Sequence, residues 1–246
     1  MKSIKVLIIA FLFCIFCPAI SFAEPFNDAM EAFKNKNYTK VVELLTPLAE
    51  QNNAEAKAFL GNMYYNGDGV EQDRAKGFKM LTDAANLGYV PAKSALASIA
   101  IGKKEYEKAI QILTPLAEDN NLEAKKVMGV LYCRGYGVEQ DIEKGLSLIM
   151  DAAALGDEGA KTIAAVMNKG FAELGDPKAM YNVGYMCMKG WGGENDPQMC
   201  VQWLEKAAEN GHVKSAKVLS SIYSKGKYGI SPDKEKASHY SSLANN

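Results

Sequence analysis

Residues 60–73 read Leu60-Gly61-Asn62-Met63-Tyr64-Tyr65-Asn66-Gly67-Asp68-Gly69-Val70-Glu71-Gln72-Asp73, and the pattern returns as Met128-Gly129-Val130-Leu131-Tyr132-Cys133-Arg134-Gly135-Tyr136-Gly137-Val138-Glu139-Gln140-Asp141. A weaker copy runs from Val183 to Asp196, with Cys187 in the tyrosine position and Gly193 in the valine position. Ala56, Leu60 and Tyr64 stand four apart, on one face of a helix, and Gly61 beside them lets a neighbouring helix approach closely. Gly67 and Gly69 end that helix and turn the chain, and Asp73 is placed to cap the next helix by accepting its free amide protons. Leu81, Ala84 and Ala85 then form the apolar stripe of a second helix. Two helices of about 11 to 14 residues, roughly 16 to 21 Å long, cannot bury such stripes alone. Stacked pairs can.

A boundary phrase frames these units six times: Ala49 to Ala56, Ala85 to Ala92, Ala117 to Ala124, Ala153 to Ala160, Ala172 to Ala179 and Ala208 to Ser215. The closing residues stand 36, 32, 36, 19 and 36 apart, a recurrence that marks stacked repeats. The 32-residue unit lacks only the long turn: Ala92 to Ile101 is a first helix, Gly102-Lys103-Lys104 a short turn and Glu105 to Glu118 a second helix. The opening stretch Lys36 to Ala49 parallels Lys104 to Ala117, so short-turn and long-turn units alternate with a true period of 68. The 19-residue unit is short by 13 residues, about one helix, and predicts a single helix near Asp157 to Leu174, continuous or broken at Gly170. The last unit turns at Gly226 to Pro232 and ends in a polar helix near Asp233 to Leu243, suited to capping an array. The expected organisation is a leader at 1–23 and one repeat array at 24–246, with units near 27–55, 56–91, 92–123, 124–159, 160–178 (truncated), 179–214 and 215–246.

Lys2 and Lys5, the apolar run Val6 to Cys17 and the small residues Ser21 and Ala23 have the form of a secretory signal peptide cut after Ala23. This predicts a periplasmic or secreted product. The run is too short to span a bilayer and no later stretch is apolar enough, so no membrane insertion of the mature chain is expected. Phe13 and Phe16 precede Cys14 and Cys17, which speaks against a lipid-anchored cysteine. Lys and Arg number 28 against 29 Asp and Glu, with no block of like charge, and nothing in this balance attracts nucleic acid or acidic lipid. Three cysteines follow the leader, Cys133, Cys187 and Cys200. In an oxidising compartment that odd count allows at most one internal bridge.

The phrases LGNMYYNGDGVEQD (60–73), PLAEQNNAEA (47–56) and AAENGHVKSA (207–216) closely resemble the SEL-one-like repeat family, an α/α-solenoid relative of the tetratricopeptide repeat, over essentially residues 27–246. The resemblance implies an all-α, right-handed solenoid of stacked antiparallel helix pairs. It also implies a non-enzymatic adaptor, scaffold or inhibitor-type protein that binds a protein or peptide partner, with a monomer favoured and no cofactor expected. The chain departs from the family pattern at Cys187, Gly193, Ser220 and the truncated stretch 160–178.

In the geometry that this resemblance implies, the offsets between the buried positions face a concave groove. They are Ala58, Asn62 and Tyr65; Ser94 and Ser98; Lys126, Val130 and Cys133; Tyr181, Tyr185 and Met188; and Lys217, Ser221 and Ser224. Tyr181, Tyr185 and Met188, with Trp191 in the adjoining turn, form the richest cluster. Such aromatics are either hot-spot anchors for a partner or, beside the truncated unit, ordinary core. Cys187 and Cys200 flank the turn at Gly193 almost symmetrically, so they are either a disulfide or two buried thiols. Catalytic signals are weak. His212 and His239 lack spaced carboxylate or cysteine partners for a triad or a metal site. The strings Ser224 to Lys227 and Ser231 to Lys234 match the Ser-x-x-Lys of penicillin-recognising enzymes without the accompanying motifs, which makes a penicillin-binding or penicillin-hydrolysing envelope enzyme the alternative reading.

Overall fold

The helices begin at side chains able to accept a hydrogen bond from the exposed first-turn amides. A computed structural model describes residues 23–191 and 196–245; the leader Val6 to Cys17 and the turn residues Gly192 and Gly193 lie outside them. The described residues fall into two compact units, divided between Leu96 and Ala97. In the first, α1 (Ala23–Lys34), α2 (Tyr38–Glu50), α3 (Ala54–Asn66) and α4 (Arg74–Asn86) pack in sequence. The division falls inside α5 (Val90–Gly102). In the second, α6 (Tyr106–Glu118), α7 (Leu122–Arg134), α8 (Ile142–Ala154), α9 (Glu158–Glu173), α10 (Pro177–Met188), α11 (Pro197–Glu209), α12 (Val213–Lys225) and α13 (Lys234–Leu243) again pack each on the next. Asn53 Oδ1 accepts from Ala56 N at 2.8 Å, Asp73 Oδ1 from Lys76 N at 2.9 Å and Asp141 Oδ1 from Lys144 N at 2.9 Å. Each such cap contributes about 1 kcal/mol. Among the described residues no helix is long and apolar enough to cross a membrane.

The pairs close on glycine. A Cβ on Gly129 of α7 would lie 2.7 Å from the Gly145 carbonyl oxygen, and one on Gly145 of α8 would lie 2.6 Å from the Gly129 carbonyl oxygen. Gly61 and Gly77 meet in the same way between α3 and α4. Removing two side chains lets the backbones touch, which is how 13-residue helices bury Leu60, Leu81, Leu146 and Ile149 almost completely. In the third pair Gly184 of α10 keeps its place, where a Cβ would lie 2.8 Å from Leu204 Cγ, but the position opposite is Cys200. Its sulfur is bonded to that of Cys187, with the Cα atoms 5.3 Å apart.

α9 is one continuous 16-residue helix with no second helix of its own, and Gly170 does not break it. It packs on both α8 and α10. Between α9 and α10 lies a polar contact that no other pair carries among the described buried residues. Asn168, 0% exposed, donates from Nδ2 to the Ala164 carbonyl at 2.8 Å and accepts at Oδ1 from Asn182 Nδ2 at 2.8 Å. At the C-terminal end Tyr240 of α13 stacks on Tyr223 of α12 with ring centroids 5.9 Å apart, and Tyr223 donates its hydroxyl to Glu205 Oε1 at 2.6 Å.

Candidate functional site

The groove offsets land in differing surroundings. In the first unit Asn62 is exposed and Tyr65 half-buried, whereas Ala58 is buried in the core. In the second, Lys126 and Val130 line an apolar pocket of about 370 Å³. The α7 residues Val127, Leu131 and Arg134 extend its wall, Ile163 of α9 faces it, and Ile101 of α5 and Tyr106 of α6 complete the lining with Tyr136 from the long turn. The turn folds back because Gly137, at φ 71°, brings its backbone onto Tyr106, where a Cβ would lie 2.6 Å from the Glu107 nitrogen. Tyr136 then stacks on Tyr106 with centroids 4.8 Å apart and planes 20° from parallel. Tyr106, Tyr136, Ile163 and Arg134 were not legible as groove residues. The only trace of two of them in the sequence is that Tyr136 stands between the turn glycines Gly135 and Gly137 and that Tyr106 starts the preceding short-turn helix.

Lys126 does not offer a free charge. Its Nζ lies 2.6 Å from Glu123 Oε2 and 3.2 Å from Asp157 Oδ2, with the side chain 14% exposed. The hydrogen bond to Glu123 raises the Lys126 pKa above its ordinary value, with Asp157 adding to it. Asp157 is held below the usual carboxylate range first by the Ala160 amide that it caps and then by Lys126. The triad ties α7 to the start of α9.

Cys133, expected to face the groove, is instead 2% exposed against Gly145, and Sγ donates to the Ile142 carbonyl at 3.8 Å. The missing Gly145 side chain makes the room, so this offset points at the close approach of the pair and not outward. Burial pushes the Cys133 thiol up to about 11, with Asp141 adding to the shift.

Tyr181 is a core residue, 7% exposed. Its ring stacks on Tyr185 at 6.2 Å and meets His212 at 4.7 Å, because the start of α12 covers it. Tyr185, Met188 and Trp191 are half-buried. Trp191 meets Tyr185 edge-on at 5.9 Å and packs against Ala152, Ala153 and Ala160. Lys189 lies 5.7 Å above Tyr185 and Lys161 5.8 Å above Trp191, within cation–π range. The cluster is therefore core at Tyr181 and half-exposed at Tyr185, Met188 and Trp191.

Residues raised by the catalytic reading hold local structural bonds. His212 Nδ1 accepts from the Ser215 amide at 3.2 Å, capping α12, and burial together with Lys178 and Lys214 lowers its pKa. Ser224 Oγ donates to the Ser221 carbonyl at 3.2 Å, and Ser231 is exposed in the last turn. Among the described residues no group of three or more His, Cys, Asp or Glu is placed to hold a metal ion.

Comparison with known proteins fits this geometry. The Sel1 repeat model matches residues 54–89, 123–157, 177–212 and 215–245, leaving out 90–122 and the whole of α9. The chain is 25% identical over 197 residues to an exopolysaccharide production negative regulator of Rhizobium leguminosarum bv. viciae, covering 80% of this chain and 60% of the regulator. Among solved structures, a Sel1 repeat protein from Oxalobacter formigenes is 26% identical with a TM-score of 0.53, covering 89% of this chain and 98% of that one. A protective antigen of uropathogenic Escherichia coli displaying an SLR fold aligns with a TM-score of 0.55 at 22% identity, over 91% of this chain and 53% of the antigen.

Proposed function

The chain belongs to the Sel1 repeat family, whose members are protein-interaction modules, and from that premise we propose that it is a non-enzymatic binding module that holds a segment of a partner protein against the face made by α7 and α9. The apolar pocket of about 370 Å³ carries the reading. Its volume is at the lower end of the range for pockets that bury a bound ligand, and its aromatic rim supplies contact area at low entropic cost. Within the same unit the half-buried side chains of Tyr185, Met188 and Trp191 supply further contacts, while Tyr181 and Lys126 act by holding the surface in shape. The leader-like start and the Cys187–Cys200 bridge support a periplasmic or secreted setting. The likeness to an exopolysaccharide production negative regulator supports a regulatory role.

The test is site-specific photocrosslinking in cells that produce the protein. A photoreactive residue at Val130 or Tyr185 is expected to trap one and the same partner protein, whereas one at the exposed Ser147 of α8 traps none. Equal labelling from all three positions would remove the proposal.

A further inference from the structure

Charge is distributed unevenly around the pocket, and this bears on what enters it. At the α9 end Lys126 is outnumbered by Glu123 and Asp157, so that end is net negative and a ligand carboxylate is turned away from it. At the other end Arg134 lines the same cavity, its side chain is exposed, and no hydrogen bond, ion pair or ring contact engages its guanidinium among the described residues. Its charge offsets the partial negative charge of the α7 C-terminus, but its fork of N–H donors has no side-chain acceptor. Between the two ends the walls are aliphatic and aromatic: Val127, Val130, Leu131 and Ile163 with the Tyr106–Tyr136 stack.

We propose that this pocket is a two-point recognition site for a partner peptide in which a large apolar side chain stands beside a carboxylate. The apolar side chain fills the space against Val130 and Ile163, and the carboxylate pairs with Arg134. The proposal rests on the docking reading above and adds the chemistry of the ligand. Complementarity of charge decides the occupant. A peptide with a basic residue at this point would meet Arg134 as a like charge, and a purely apolar one would gain nothing from the guanidinium, which stays hydrated. A guanidinium–carboxylate pair at the rim of an apolar site is bidentate and directional, which fixes the register of the bound segment.

This chain carries the same chemistry on its own surface. Leu174, 83% exposed, follows Glu173 in the turn after α9. Self-association through that turn is therefore a competing occupant that the test must separate.

The experiment selects a displayed library of random short peptides on the purified protein, then measures one enriched peptide by fluorescence anisotropy. Enrichment of Leu, Ile, Phe or Trp next to Asp or Glu is expected. Arg134→Ala should weaken that peptide roughly 2- to 5-fold, as for an ion pair at an exposed rim, and converting its acid to the amide should weaken it equally on the wild type and no further on Arg134→Ala. Arg134→Glu should recover binding to a peptide whose acid is replaced by lysine. Arg134 is exposed at a helix end, so these variants leave the fold intact, and circular dichroism checks this. Selected peptides that lack acids, or that are indifferent to Arg134→Ala but lose binding with Val130→Glu, overturn the acidic requirement while the docking reading stands. Peptides indifferent to both variants overturn both. Concentration-dependent dimerisation abolished by Leu174→Ser assigns the pocket to a second copy and overturns the proposal.

Discussion

Replacing Asn182 by leucine removes the donor to Asn168 Oδ1, an atom on a residue with no exposed surface, and offers nothing in its place. A buried acceptor stranded in this way costs about 1 to 3 kcal/mol, which for a chain of this size lowers the melting temperature by roughly 2 to 12 °C. Asn168→Leu strands the Asn182 amide instead and also gives up the bond to the Ala164 carbonyl, so its cost lies in the same range. The double variant removes both polar groups at once and fills the α9–α10 contact with apolar volume. It should cost less than either single change, because no buried polar side chain is left unpaired. Urea unfolding followed by tryptophan fluorescence measures this, since Trp191 packs beside Met186 and Ala164 and Trp203 packs against the same C-terminal core. If the double variant instead loses as much as the two singles together, the pair is not a coupled unit and the reasoning fails.

Three further outcomes follow from the packing. Gly145→Ala drives a Cβ to 2.6 Å from the Gly129 carbonyl oxygen and should destabilise by about 1 to 3 kcal/mol, whereas Gly170→Ala, with open space around it, should stabilise by about 0.5 to 1 kcal/mol; thermal melts of the two variants check the contrast. His212 has a pKa below its ordinary value, so the unfolded chain binds its proton more readily, and this contribution to stability is complete above about pH 6.5 and lost as the pH falls through the lowered folded value. His212→Asn keeps a cap that does not titrate and should flatten that part of the stability–pH curve; an unchanged slope would assign the dependence elsewhere. Reducing the Cys187–Cys200 bridge, which closes a loop of 13 residues, should cost about 3 kcal/mol, seen as an earlier urea midpoint in reductant for wild type but not for a Cys187→Ala/Cys200→Ala variant.

The helices were legible because each repeat phrase carries its whole instruction: apolar residues four apart, a glycine for the crossing, glycines for the turn and an aspartate for the next cap. The single helix α9 was legible as 13 missing residues. What could not be read was which face each offset would meet. Counting positions along α7 assigns Cys133 to the surface, but the absent side chain of Gly145, on another helix, draws it inward. Tyr181 follows the same logic, since His212 closes over it from 31 residues away. Tyr106 and Tyr136 meet only because the turn folds back across α6, and no local periodicity encodes that contact.

The unpaired helix has a consequence for polarity. Neighbours joined by three-residue turns run in opposite directions, so an added pair preserves the sense of everything after it, and an added single helix reverses it. Within the second unit α7 and α10 carry the same phrase but run oppositely. The long turn of one therefore emerges at the edge where the other begins, with Tyr136 at one edge and Trp191, packed beside the start of α9, at the opposite edge. An array of whole pairs would confine its turn aromatics to one edge. Losing one helix places an aromatic at each, and a strand laid across the face between them meets one repeat phrase forwards and the next in reverse.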